Sequence, residues 1–452
     1  MIRRKLGMDG AVAYTFFARL VSIAGSTGTV LLIVHFLSPV EQGYYYTLVN
    51  LVALQMVFEL GFSFVIQQLA AHECARLALH RDGTVTGEAE AHARLASTLQ
   101  LSVRWYTVAA VAMMSILAPL GVAFFEHRTT AATASVAWMR PWICAVMGSA
   151  VGLWCQPLFS FLEGCGEVRA VASLRLRQAV VSAGLAWTAM VMHHGLFSPA
   201  SMMVGQIGMG LLFLSRYRRF FKGLMRYPVR HRAIAWGLEV WPFQWRIAVS
   251  WLCAYFTVQA FIPLLFAMRG PVEAGQMGMS LSITSYMGSL VLPWITTKAT
   301  PFGRMIAAGQ FLALDRLFRR TLRQALAVFS LLAVGVCAGA YCLPHFAPRI
   351  SARVVAPPLF IVLVLGSGAN CFVQSAAVLL RSFKREPFLV QSLAVSAMTM
   401  GLALVTAPRW GSAGAACSYF AATGGIGLPI ALAIFLRARR KYLTPESPVL
   451  CP

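Results

Sequence analysis

The sequence predicts an all-α, polytopic membrane protein of about twelve transmembrane helices arranged as two similar six-helix halves. Three observations carry this. Of 452 residues, 58% are hydrophobic and 12% charged, with a mean hydropathy of +0.69, whereas a soluble protein carries about 25% charged residues. The apolar residues lie in blocks of about twenty or more, the length a helix needs to cross a hydrocarbon core of about 30 Å. Nearly the same pentamer occurs twice, PVEQG at Pro39–Gly43 and PVEAG at Pro271–Gly275, about half a chain apart. Strands of a β-barrel would be about ten residues long and alternating, a pattern not seen here.

The first apolar block, 12–37, follows a basic start, MIRRKLGMDG, and is too long for a signal-peptide core, so no cleavage is expected. PVEQG joins it to the second block, 44–70. The long loop 71–101 follows, carrying the amphipathic stretch RLALHR, which is expected to lie on headgroups. Blocks 102–126, 134–162, 169–192 and 196–215 complete the first half, and Tyr44, Tyr45 and Tyr46 are assigned to the interfacial aromatic belt. A basic loop, RYRRFFKGLMRYPVRHR at Arg216–Arg232, then divides the chain, with one bundle expected over 1–225 and the other over 226–452. In the second half PVEAG joins block 243–267 to block 275–297. Another long loop, 298–322, holds the amphipathic FLALDRLFRR, and blocks 323–346, 354–380, 388–407 and 411–436 finish the set before a short cytosolic tail.

Orientation follows the Lys and Arg residues, which accumulate in cytoplasmic loops. With the N-terminus inside, thirty-one of the thirty-eight basic residues fall on the cytosolic side. The outer turns hold only Arg128, Arg140, Arg269, Arg349, Arg353 and Arg409, and Arg19 lies within a span. Both termini are thus expected in the cytosol, and both pentamers on the outer face. The two halves then run in the same sense, as parallel repeats. This clustering also accounts for the net charge of +23 without nucleic acid, since no basic stripe with interleaved aromatics and no zinc-finger spacing is present. The ten cysteines are scattered with no CxxC pair. No metal site and no cofactor are expected.

A charge within a span costs roughly 2.5 to 3.5 kcal/mol on insertion scales, so each needs a reason. Arg19 and Glu59 fall at similar depth in the first two spans, either as a structural ion pair or as cavity-lining and proton-coupling groups. Arg246, Lys298 and Arg140 sit near span ends, where long basic side chains either snorkel or face a substrate route. Asn370 and Gln374 share a helix face with Arg381 and serve either helix-to-helix hydrogen bonds or a cavity. Gln55, Gln67, Gln68, Gln156 and Gln259 carry the same two readings. No GxxxxGK[ST], HExxH or GxSxG pattern occurs, so no enzyme is expected.

Two segments, FLSPVEQGYYYTLVNLVALQMVFELGFSFVIQQLAAHE at Phe36–Glu73 and LPWITTKATPFGRMIAAGQFLALDRLF at Leu292–Phe318, resemble the polysaccharide-biosynthesis transporters and O-antigen flippases of the multidrug/oligosaccharidyl-lipid/polysaccharide exporter superfamily. The resemblance implies two six-helix bundles around a central cavity in the bacterial inner membrane. It also implies alternating access and a lipid-linked saccharide, of polyprenyl diphosphate type, as cargo. Polysaccharide polymerase and glycosyltransferases would be partners beside the lipid bilayer. The rival reading is a multidrug or cation antiporter of the same superfamily, which needs carboxylates deep in its cavity; only Glu59 qualifies.

Overall fold

The computed structural model describes residues 10–79, 84–128, 135–228, 237, 241–383 and 388–442. Every predicted apolar block overlies a helix. The described chain forms two compact units whose border falls between Leu252 and Cys253. Among the described residues, six helices are long and apolar enough to span a membrane, or up to eight when each bent pair is counted as one span.

In the first unit, α1 (Gly10–Phe36) is followed by a span broken into α2 (Pro39–Val52), α3 (Gln55–Glu59) and α4 (Phe62–Cys74). The break has a local cause: Leu60 (φ 52°) and Gly61 (φ 66°) are both left-handed, and the two halves of the span differ by 42°. A leucine in this region is strained by about 1–2 kcal/mol. A short antiparallel ribbon, β1 (Leu77–Leu79) on β2 (Val85–Gly87), comes next. Within the amphipathic stretch RLALHR, Leu77–Leu79 thus forms a strand. Helices α5 (Ala89–Glu126), α6 (Met139–Gly164), α7 (Val168–Val191) and α8 (Ser198–Arg216) follow. The basic helix α9 (Arg218–Arg226) comes next and buries Phe220 and Leu224.

Close approach between helices is set by small residues. A Cβ on Gly121 of α5 would fall 2.1 Å from the Trp142 ring of α6, and the Trp142 indole donates to the Ala118 carbonyl at 3.0 Å. The Trp187 indole of α7 donates likewise to Thr29 of α1. Tyr44, Tyr45 and Tyr46 are all buried, and Tyr44 stacks on Phe125 at 5.5 Å. The aromatic-belt expectation for this run is thus overturned, because α2 turns these rings into the bundle.

Helix α10 (Trp241–Ala254) crosses the border and leads through a π-helical turn at Tyr255–Gln259 into α11 (Phe261–Arg269) of the second unit, with a bend of 41°. This unit continues with α12 (Pro271–Val291), the short α13 (Pro293–Thr296) and α14 (Ala299–Ala307), then α15 (Phe311–Phe346), α16 (Pro348–Ser351) and α17 (Pro357–Arg381). The last two predicted spans are α18 (Leu389–Phe420), a π-helical stretch at Ala421–Gly427 and α19 (Leu428–Tyr442). They form a hairpin around Gly411 (φ 55°, ψ −132°). Gln391 reaches the Gly427 carbonyl and Thr406 meets Ser418 across it. FLALDRLFRR opens α15 and buries Leu314, Asp315 and Phe318. Asp315 accepts a two-pronged hydrogen bond from Arg439 of α19 at 3.0 and 3.3 Å, and pairs with Arg319 as well.

The two units are wired alike. In the first, span one packs on span five (α1 on α7), two on four (α4 on α6), three on four (α5 on α6), four on six (α6 on α8) and five on six (α7 on α8). The second repeats three of these pairs, as α12 on α17, α15 on α17 and α17 on α19, while α11 packs on α18, which carries the eleventh predicted span and the start of the twelfth.

The repeated pentamer starts a helix in both. Pro39 and Pro271 occupy the first turn, where a missing N–H costs nothing. In the first unit Ser38 caps the helix and Glu41 returns to the Ser38 amide at 2.8 Å, a closed capping box. Gly270 offers no such side chain, so Glu273 reaches instead to the Ser412 amide at 2.9 Å, with Arg269 beside it at 3.1 Å. A Cβ at position 411 would fall within 2.1 Å of the Glu273 carboxylate, so glycine there serves both the turn and the contact.

Candidate functional site

The first unit encloses a polar cavity of about 240 Å³ among α3, α6, α7 and α8. Its polar lining is Gln55 and Glu59 of α3, Ser149 and Gln156 of α6, Arg175 and Gln178 of α7, and Gln206 of α8. Such a set inside an apolar bundle requires either mutual pairing or water and ligand, because unsatisfied polar groups in hydrocarbon cost several kcal/mol.

Glu59 is the last residue of α3, immediately before the left-handed break. Its carboxylate accepts from Ser63 at 2.6 Å, and Ser63 meets the hydroxyl of the fully buried Tyr106 at 2.8 Å. The chain Glu59–Ser63–Tyr106 thus runs from the cavity into the packing between α4 and α5. Arg175 is held by Glu163 at 3.3 and 3.4 Å and lines the same cavity as Glu59. Gln178 donates to the Gln206 carbonyl at 2.8 Å, tying α7 to α8. The Ser149 hydroxyl is buried and has no protein partner, leaving a donor and an acceptor for a guest or water.

Towards the end predicted to face the cytosol, Tyr217 donates to Glu167 at 3.0 Å. Burial first, then the Glu167 carboxylate, pushes the Tyr217 hydroxyl up to about 12, so it stays a donor at physiological pH. Glu163 and Glu167, which flank the turn between α6 and α7, are thus both engaged.

Of the predicted site residues, Glu59 lines the cavity. Arg19 and Arg246 lie on α1 and α10, but their side chains fall outside the described residues. Arg140 is exposed at the start of α6, Lys298 is exposed ahead of α14, and on α17 Gln374 is exposed while Asn370 is half-buried. None of these four lines the cavity of the first unit. Arg175, Gln178, Ser149 and Gln206 are the cavity residues the sequence reading passed over, while Gln55 and Gln156 were among its candidates. A signal existed for α7: Arg175, Gln178 and Ser182 fall at i, i+3 and i+7, a polar stripe on one helix face.

Two like-wired six-span units define the class: a polytopic helical membrane protein built from internal repeats, with a polar cavity inside the first. No family model matches the chain, and no curated protein matches its sequence. Solved structures do match. An inward-facing multidrug resistance MATE family transporter of the MOP superfamily gives a TM-score of 0.64 at 13% identity over 95% of this chain and 94% of that one. The lipid II flippase MurJ, inward closed, gives 0.64 at 14% over 96% and 90%. The MATE multidrug transporter DinF-BH gives 0.59 at 14% over 95% of both. The fold is therefore the one these transporters share.

Proposed function

We propose that this protein is a flippase of the bacterial inner membrane that moves a lipid-linked saccharide outward by alternating access. The observation that carries the reading is the cavity lining: four glutamine amides and a free serine hydroxyl surround a single carboxylate faced by a single guanidinium. Amides and hydroxyls suit a hydroxyl-rich headgroup. A cation site of comparable depth would need several carboxylates, and Glu59 is the single one in this lining.

A diphosphate-linked cargo would also supply its own drive. Each negative charge moved outward across an inside-negative potential gains about 2.3 kcal/mol per 100 mV, and two charges gain twice that. This suits a chain without a nucleotide-binding motif. Arg175 would meet the anionic or polar headgroup, with the glutamines reading its hydroxyls. Polysaccharide polymerase and glycosyltransferases are the partners this role would call for.

The test is a deletion strain lacking paralogues, scored for surface polysaccharide and for lipid-linked intermediates. The expected outcome is loss of polysaccharide with accumulation of the lipid-linked saccharide, restored by the wild-type gene but reduced at least tenfold in rescue with Arg175→Gln at equal membrane abundance. Normal polysaccharide together with altered susceptibility to cationic drugs would instead favour the antiporter, for which Glu59 with its Ser63 and Tyr106 partners is the supporting observation.

A further inference from the structure

The described ends of α4 and α6 bring two cysteines together. Cys74 closes α4 and Cys165 caps α6, and their Sγ atoms are hydrogen-bonded at 2.9 Å although ninety-one residues apart. Both are half-buried, with exposed neighbours at His72, Ala75 and Gly166. The approach is built into the backbone. A Cβ on Gly164 would fall 2.5 Å from the Gln67 carbonyl and 2.7 Å from the Ala70 Cβ, so glycine lets the two helices touch here. The pair is also framed by fixed charges, since Glu73 is buried and held by Arg94 at 2.8 Å and Arg76 at 3.3 Å.

We propose that Cys74 and Cys165 form a dithiol that a hydroperoxide closes to a disulfide, stapling α4 to α6. A disulfide needs about 2.05 Å between sulfurs, so less than about 1 Å of motion closes the gap. Both thiols lie beyond the predicted apolar blocks, 44–70 and 134–162. The shared hydrogen bond holds the Cys74 thiol below the ordinary cysteine value and, with burial, Cys165 above it. Cys74 is accordingly assigned the attacking role, once deprotonated, and Cys165 the resolving one.

In the first step the Cys74 sulfur attacks one peroxide oxygen, the O–O bond breaks, and the departing hydroxide takes a proton and leaves as water. Cys74 is then a sulfenic acid. Cys165 next attacks that sulfur, the S–O bond breaks, and the second water carries away the Cys165 proton. Two thiols and one hydrogen peroxide thus give one disulfide and two waters. On the predicted topology the pair faces the reducing side of the membrane, where disulfides are transient and redox-responsive. The chemistry is independent of what the protein carries.

The test uses the full-length protein in detergent, treated with hydrogen peroxide, alkylated and digested for mass spectrometry. The expected result is a Cys74–Cys165 crosslinked peptide that dithiothreitol removes, with two thiols lost per chain. In Cys165→Ser the crosslink disappears and dimedone marks Cys74. Absence of the crosslink at a peroxide dose that fully oxidises a free dithiol in the same tube overturns the proposal. So does loss of the same two thiols in Cys74→Ser. Should either variant fail to elute as a folded species, the wild-type crosslink measurement decides alone.

Discussion

Arg175 shows what residue-scale reading misses. By position it belongs to the basic residues near the predicted inner end of a span, and positive-inside counting absorbs it. Its long side chain nevertheless reaches the cavity and, at its exposed end, Glu163. Tyr44, Tyr45 and Tyr46 err the other way: amphipathic rings read as interfacial are core, since which helix face turns inward depends on neighbours distant in sequence. His92 carries a pH prediction. It stacks on Tyr227 at 4.3 Å, outside the spans, and burial holds its imidazole below the ordinary 6.5. The unfolded chain therefore binds the proton first as pH falls. The His92 contribution is fully present above about pH 6.5 and declines below it, towards the depressed folded value. Thermal unfolding of solubilised protein from pH 7.5 to 5 should show a loss of Tm on acidification that is smaller in His92→Phe; equal slopes would refute this.

At the scale of the element, helices were legible wherever an apolar run of spanning length existed, because hydrocarbon forces backbone polar groups to pair within the segment. What such runs do not encode is where a span breaks. The second span bends at Leu60–Gly61 and the seventh at the π-helical Tyr255–Gln259, so the like-wired units break at different places. The first break sets Glu59 at a helix end beside the cavity. The pentamers show the same limit. Their Pro and Glu predicted helix starts, but only the residue before each, Ser38 or Gly270, decides whether the glutamate closes its own turn or reaches Ser412. At the far end of the second unit, Asp315→Asn removes the buried carboxylate that the half-exposed Arg439 and the exposed Arg319 share. Because water reaches both donors, it should cost only about 0.5–1.5 kcal/mol, read as a fall in unfolding temperature with the fold retained.

For the whole molecule, the membrane class and the like-oriented repeats rest on composition and Lys/Arg placement. Cysteine labelling checks the orientation: Trp410→Cys, at an exposed predicted outer turn, should react with an impermeant maleimide in intact cells. Arg218→Cys should react only after permeabilisation; the reverse pattern would invert the topology. Sequence alone determined that this chain spans a membrane many times, because apolar length is a local quantity that lipid reads directly, whereas the like orientation of its halves is an expectation from loop charge. Only the tertiary structure decided which polar side chains meet. The Glu59–Ser63–Tyr106 chain, the Arg175 cavity and the Cys74–Cys165 pair join residues as far apart in sequence as Gln55 and Gly210, and their proximity comes from helix packing at small residues, a property of surfaces in contact and not of any single segment.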